Sequence, residues 1–166
     1  MTTIRRTQLA TALTTAALVA MFAGPVVAQT SGHYHGAAAT SALALNQGQK
    51  WPTDKPLRDG MDRIRALVEP QLSAAHAGKL GPSQYQGLAR QIESQVGTIV
   101  ANCKLEPKAD AMLHLVIADI GAGTDAMAGK SAKLPPAEGL VKVAQAVNAY
   151  GGHFDHPRFK PIPNIH

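Results

Sequence analysis

The chain has 166 residues, of which 45% are hydrophobic and 16% are charged, and its net charge is +5. Such a mildly basic composition, with no run of Lys or Arg to follow phosphates, speaks against a nucleic-acid-binding protein. The single cysteine, Cys103, excludes a disulfide bond within the chain, so stability must come from packing or from a ligand.

The first 28 residues have the pattern of a secretory signal peptide. Arg5 and Arg6 form a positive start, an apolar run extends from residue 9 to 22, and small residues precede a cut after Ala28. The apolar run is too short for a transmembrane anchor, and no later segment is long enough to span a membrane. The pattern predicts export to the periplasm, with the twin-arginine route as an alternative to the general one. Without Arg5 and Arg6 the net charge falls from +5 to +3.

Residues 29–52 are rich in Ala, Ser, Thr and Gly and lack apolar periodicity, which predicts a flexible tail. The first helix is predicted to begin after Thr53 or Asp54, which can cap it, and to end at residues 77–79. The second helix is predicted from Pro82 to near Lys104. These helices carry apolar residues at intervals of three and four.

The third predicted helix starts at Pro107 and fades by residues 129–130. The fourth starts at residues 135–136, and Gly151 and Gly152 are read as its stop signal. No two-residue periodicity predicts a strand. We therefore expect an all-α protein, an up-down-up-down four-helix bundle over residues 53–157, followed by a C-terminal tail at 158–166.

Antiparallel order would gather several metal-binding residue types at one end of this bundle. Cys103 ends the second helix, His114 lies early in the third, and His153 and His156 follow the fourth. Thiolate and imidazole ligands favour copper, or less strongly zinc, over calcium and magnesium. These four residues are the predicted metal site. We expect a protein with such a site to act in metal homeostasis or in a stress response.

Each of these residues also has an interpretation without metal. Cys103 can be a buried small hydrophobic residue, and His114 can be a hydrogen-bonded residue beside the core. His153 near a helix C-terminus is favoured by the helix dipole alone. Since the two glycines are predicted to end the helix, the spacing of His153 and His156 does not place them on one helix face.

A secondary site is predicted from His33 and His35 in the tail, with Met61 as a further candidate ligand. Alternating histidines in such a tail can hold copper or zinc loosely. The alternatives are a solvated tail and, for Met61, packing in the core.

We expect no enzymatic activity, because no phosphate-binding loop, haem-attachment motif or Glu-x-x-His di-iron motif is present. The alternative function is a metal-free periplasmic protein-interaction or stress-response module. It would use an apolar groove between helices or the basic C-terminal tail. A monomer or a homodimer is expected, with a metal ion or a periplasmic protein as partner.

Three segments carry a resemblance to other proteins: WPTDKPLRDGMDRIRALV at 51–68, IVANCKLEPKADAMLHLVIADI at 99–120 and VNAYGGHFDHPRF at 147–159. Together the chain resembles a group of small exported proteobacterial proteins without established function. The resemblance implies a helical periplasmic protein and supplies no catalytic residues.

Overall fold

The computed structural model describes residues 42–165 of the chain. In this part the chain forms four α-helices, which are α1 (Lys55–His76), α2 (Pro82–Asn102), α3 (Pro107–Met127) and α4 (Pro136–His153). No β-strand occurs there, and the expected all-α four-helix fold is confirmed. Within residues 42–165 there is also no helix that is both long enough and apolar enough to cross a membrane.

The helices pack around one apolar core, with α1 and α3 each contacting both α2 and α4. Apolar side chains at intervals of three and four line its interior; the largest that are fully buried include Leu57, Met61, Ile64, Ile92, Ile99, Leu113, Ile120, Leu140 and Tyr150. The most extensive contact between two helices is that of α3 with α4, where Gly123 lies against Gly139. Small residues at this contact allow the two backbones to come together.

The helix starts follow the sequence signals. Every helix has a proline at its first or second position, where the missing N–H is not needed. Asp54 caps α1, since its Oδ1 accepts a hydrogen bond from the Leu57 N–H at 3.0 Å. Its Oδ2 accepts another from the Lys104 N–H at 2.6 Å, just beyond α2. Asp54 therefore ties the start of α1 to the end of α2.

The predicted stop of the last helix at Gly151 and Gly152 is wrong, because α4 continues through both glycines to His153. Gly151 does not form a turn; its lack of a side chain allows another residue to pack closely against the helix. A Cβ atom at this position would lie 2.6 Å from the ring of Phe159. The chain leaves the helix at Phe154, which has an extended conformation and pairs with Trp51 in an isolated bridge.

The part of the predicted tail that the structure describes, residues 42–52, packs on the bundle. The Trp51 side chain is buried, and its indole N–H donates to the Ala44 carbonyl at 2.7 Å. The Trp51 N–H donates to the His153 carbonyl, and its carbonyl accepts from the Asp155 N–H, both at 2.8 Å. The packed domain thus begins before residue 53, because an indole buries enough apolar surface to order its segment.

The C-terminal segment is also packed and is not a free tail. Ile162 is buried, and the Asn148 side chain on α4 bonds to both the N–H and the carbonyl of Ile162. The Arg65 guanidinium on α1 donates to the Lys160 carbonyl at 2.6 Å. Residues 158–165 are therefore fastened to two helices. Residue 166 and the predicted signal peptide, residues 1–28, lie outside the described residues.

Candidate functional site

The histidines predicted as metal ligands on α3 and α4 are engaged within their own helices. His114 is exposed, with its Nδ1 2.9 Å from the Asp110 carbonyl and 3.4 Å from the Asp110 carboxylate. His153 is half-buried, with its Nδ1 2.8 Å from the Ala149 carbonyl. Because a carbonyl oxygen only accepts, each Nδ1 carries the proton and donates it. Both rings are thereby oriented along their helices.

His156, in contrast, turns into the bundle. Its side chain is only 5% exposed, and its Nε2 lies 3.4 Å from the Asp62 carboxylate on α1. Its Nδ1 lies 3.1 Å from the buried Tyr150 hydroxyl on α4. The carboxylate accepts from Nε2–H, so in the neutral ring Nδ1 accepts from the phenol. A chain of Tyr150, His156 and Asp62 results, leading from the core to the surface.

Burial has the largest effect on the pKa values of His156 and Tyr150. It lowers the pKa of His156 below its ordinary value, and the nearby Arg58 acts in the same direction, while Asp62 opposes them. Burial likewise raises the pKa of the Tyr150 hydroxyl, with a further contribution from the Asp62 charge. Both groups are therefore held neutral near pH 7.

Cys103 lies half-buried at the end of α2. Burial raises the pKa of its thiol, and the negative charges of Asp54 and Asp110 raise it further. Since the thiolate is the metal-binding and nucleophilic form, this environment disfavours both roles.

The predicted four-residue metal site is not assembled. Among residues 42–165, no three or more His, Cys, Asp and Glu side chains lie together in a way that could hold a metal ion. His156 has turned inward, and His114 and His153 are tied to their own helices. Met61 is fully buried in the core, where it serves packing. His33 and His35 lie outside the described residues, so copper or zinc binding by them stays a prediction.

A cleft lies where α1 begins and the segment after α4 crosses it. Its volume is about 720 Å³, within the range of roughly 300–1,000 Å³ that small-molecule sites occupy. Three cationic and three acidic side chains line it; they are Lys55, Arg58, Arg158, Asp59, Asp62 and Asp155. His156 contributes to its wall, so the neutral Tyr150–His156 pair lies directly behind the charged side chains here. We refer to this cavity as the charged cleft.

One side of the charged cleft is organised by Thr53 and Arg58. The Arg58 Nη1 donates to the Thr53 carbonyl at 2.8 Å and lies 2.9 Å from its hydroxyl oxygen. The Thr53 hydroxyl donates to the Asp155 carbonyl at 2.5 Å. The start of α1 and the segment after α4 are thus joined, and the Arg58 guanidinium is fixed at the edge of the cleft.

A second, smaller cavity of about 360 Å³ has a mainly apolar lining. It lies between the segment before α1, with Trp51 and Pro52, and the start of α3, with Pro107 and Ala109. The sequence predicts an apolar groove between two helices as an alternative binding surface. This apolar cavity differs from it, because it lies between one helix, α3, and the segment before α1.

The interpretation of the sequence overlooked Lys55 and Arg58 as site residues. A signal was present in the sequence. The spacing by three and four residues places four charged side chains on one helix face: Lys55, Arg58, Asp59 and Asp62. Their meeting with Asp155 and Arg158 could not be read from the sequence, since the crossing of the last segment over α1 is a tertiary feature.

Comparisons of this chain with protein-family models, with curated proteins and with solved structures find no match. The resemblance to small exported proteobacterial proteins therefore stays a prediction.

Proposed function

We propose that the protein is a non-enzymatic, metal-independent periplasmic binding module, and that it binds small polar molecules in the charged cleft. The observation that carries this proposal is the cleft itself, with six charged side chains on its wall and a buried tyrosine–histidine pair behind it. A cleft that holds a buried titratable group with a displaced pKa is a common location of binding sites. Export rests on the signal-peptide pattern of residues 1–28.

Some charged side chains of the cleft are paired with each other and others are not, and the unpaired ones support a binding role over a purely structural one. Lys55 and Asp59 neutralise each other at 2.5 Å. Within residues 42–165, however, Arg58, Arg158 and Asp155 make no ion pair with another side chain. Charged groups placed together without partners are suited to meet the charges of a ligand.

The earlier hypothesis of a copper site at this end of the bundle has less support. Its four residues do not come together, and the Cys103 thiol is held in its protonated form. The second interpretation of the sequence was a metal-free protein-interaction or stress-response module. The present proposal shares with it only the absence of a metal, because it places a small molecule, and not a protein, in the charged cleft.

The test is equilibrium dialysis of the protein, purified from cells that express the full chain, against a low-molecular-mass cell extract. Mass spectrometry then identifies the retained molecules. The cleft variant is the double substitution Asp155→Asn with Arg158→Gln, and both side chains are exposed. The matched control, Asp125→Asn with Lys133→Gln, removes one carboxylate and one cation at the other end of the bundle.

The expected result is a set of small polar molecules retained by the wild type and the control and lost from the cleft variant. Retention of no small molecule, or equal retention by the cleft variant, would overturn the proposal. Circular dichroism of all three proteins shows whether the substitutions preserve the helical fold.

A further inference from the structure

The charges of the cleft fall into two groups once the Lys55–Asp59 pair is set aside. Arg58 and Arg158 present guanidinium groups, and Asp62 and Asp155 present carboxylates. The cleft therefore offers two positive and two negative groups to a ligand. No net charge results, although the individual charges remain.

The positive groups suit a carboxylate. Among residues 42–165, only the Nη1 atom of the Arg58 guanidinium makes a hydrogen bond, so its Nε and Nη2 groups have no partner in that part of the chain. Arg158 extends from the segment that crosses α1, where its backbone has a positive φ of 68°. A guanidinium can bind a carboxylate through two parallel hydrogen bonds, which makes arginine effective at this task.

The negative groups suit an ammonium group. Asp62 is held on one side, where its Oδ2 lies 3.4 Å from the His156 ring, and its side chain is still 58% exposed. The Asp155 backbone is fixed by hydrogen bonds to Trp51 and Thr53, whereas its carboxylate has no ion-pair partner among residues 42–165. Two positioned carboxylates can accept hydrogen bonds from one ammonium group.

A ligand with one kind of charge would meet repulsion in this cleft. An anion would approach Asp62 and Asp155 as well as the arginines, and a cation would approach the arginines as well as the carboxylates. A molecule with both charges satisfies both groups. We propose, resting on the binding function above, that the charged cleft binds a small zwitterion with an ammonium and a carboxylate group, either a free amino acid or a short peptide.

The test uses isothermal titration calorimetry at low salt with alanine, phenylalanine and the dipeptide alanylalanine. Propionate and ethylamine are the matched singly charged probes, since each lacks one charged group of alanine. At least one zwitterion is expected to bind, and each singly charged probe is expected to bind at least about tenfold more weakly, as loss of a charge-assisted hydrogen bond implies.

Two single variants separate the two halves of the cleft. Arg158→Gln and Asp155→Asn are each expected to weaken binding of the zwitterion by about tenfold or more. The controls Lys133→Gln and Asp125→Asn are expected to leave it unchanged. Equal weakening by a control and its partner variant would overturn the proposal.

The two proposals fail in distinguishable ways. If dialysis shows cleft-dependent retention but propionate or ethylamine binds as tightly as the zwitterions, the ligand class is wrong and the binding function stands. Absence of calorimetric binding by all three zwitterions also overturns the ligand class. Absence of any cleft-dependent retention in the dialysis overturns both proposals.

Discussion

The Tyr150 hydroxyl and the His156 Nδ1 atom lie 3.1 Å apart, and this contact holds the segment after α4 against the bundle. The Tyr150 ring stacks on Phe154 and meets Phe159 edge to face, so the hydrogen bond lies within an aromatic cluster. Because Asp62 accepts from the other nitrogen of the ring, the neutral form of His156 satisfies both partners.

This arrangement predicts that acid destabilises the protein through His156. Burial lowers the folded-state pKa below the ordinary value of 6.5, so the unfolded chain binds the proton more readily. The contribution of His156 is therefore fully present above about pH 6.5 and is lost as pH falls through its folded-state pKa. One proton contributes at most about 1.4 kcal/mol per pH unit to this slope.

Urea unfolding at a series of pH values between 5 and 7.5 checks this expectation. The His156→Gln variant should show a shallower fall of unfolding free energy with acid than the wild type. His76→Gln, at the opposite end of the bundle, controls for the loss of an exposed imidazole. Identical slopes for the wild type and His156→Gln would contradict the prediction.

The contact between α3 and α4 predicts different effects for two glycines on α3. A Cβ atom at Gly123 would lie 2.7 Å from the Gly139 carbonyl and 2.6 Å from Val143, whereas one at Gly121 would meet nothing within 4 Å. Gly123→Ala should therefore lower the free energy of unfolding by about 1–3 kcal/mol. Gly121→Ala should raise it by about 0.5–1 kcal/mol, because alanine favours the helix.

Denaturant unfolding followed by circular dichroism measures both variants. Gly121→Ala is the matched control, since it makes the same chemical change on the same helix. A Gly123→Ala variant as stable as Gly121→Ala would show that the helices can separate at no cost.

The double role of Asp54 predicts an effect larger than that of an ordinary helix cap. Asp54→Ala removes the acceptors of both the Leu57 and the Lys104 N–H groups. The expected loss of unfolding free energy is about 1–2 kcal/mol. Asp54→Asn retains one carbonyl acceptor for the cap and should lie between the wild type and Asp54→Ala. Equal stability of the wild type and Asp54→Ala in thermal unfolding would contradict this role.

For copper, we expect any binding by the full chain to be independent of Cys103. The thiol is disfavoured as a thiolate, and no group of three or more candidate side chains gathers in residues 42–165. Titration with Cu²⁺ should give the same stoichiometry for the wild type and Cys103→Ser. The variant with His33→Ala and His35→Ala tests the predicted tail site separately. A lower stoichiometry in Cys103→Ser would restore the hypothesis of a site at the bundle end.

The sequence determined the helices and most of their boundaries, because apolar spacing, proline starts and the Asp54 cap act within one or two turns. The end of α4 was predicted wrongly from the sequence. Gly151 is needed for the close contact with Phe159, and the neighbouring residues do not distinguish such a glycine from one that ends a helix.

The tertiary structure decided what the charged and titratable side chains do. The sequence placed Cys103, His114, His153 and His156 at one end of the bundle, but nearness along an end does not fix the direction of a side chain. His156 turns inward because Tyr150 and Asp62 together satisfy its two nitrogens. The charged cleft forms because the last segment crosses α1, and that crossing depends on Trp51, Phe154 and Ile162 being buried together with the core. Such packing depends on residues far apart in the sequence, so it cannot be predicted from a local sequence pattern.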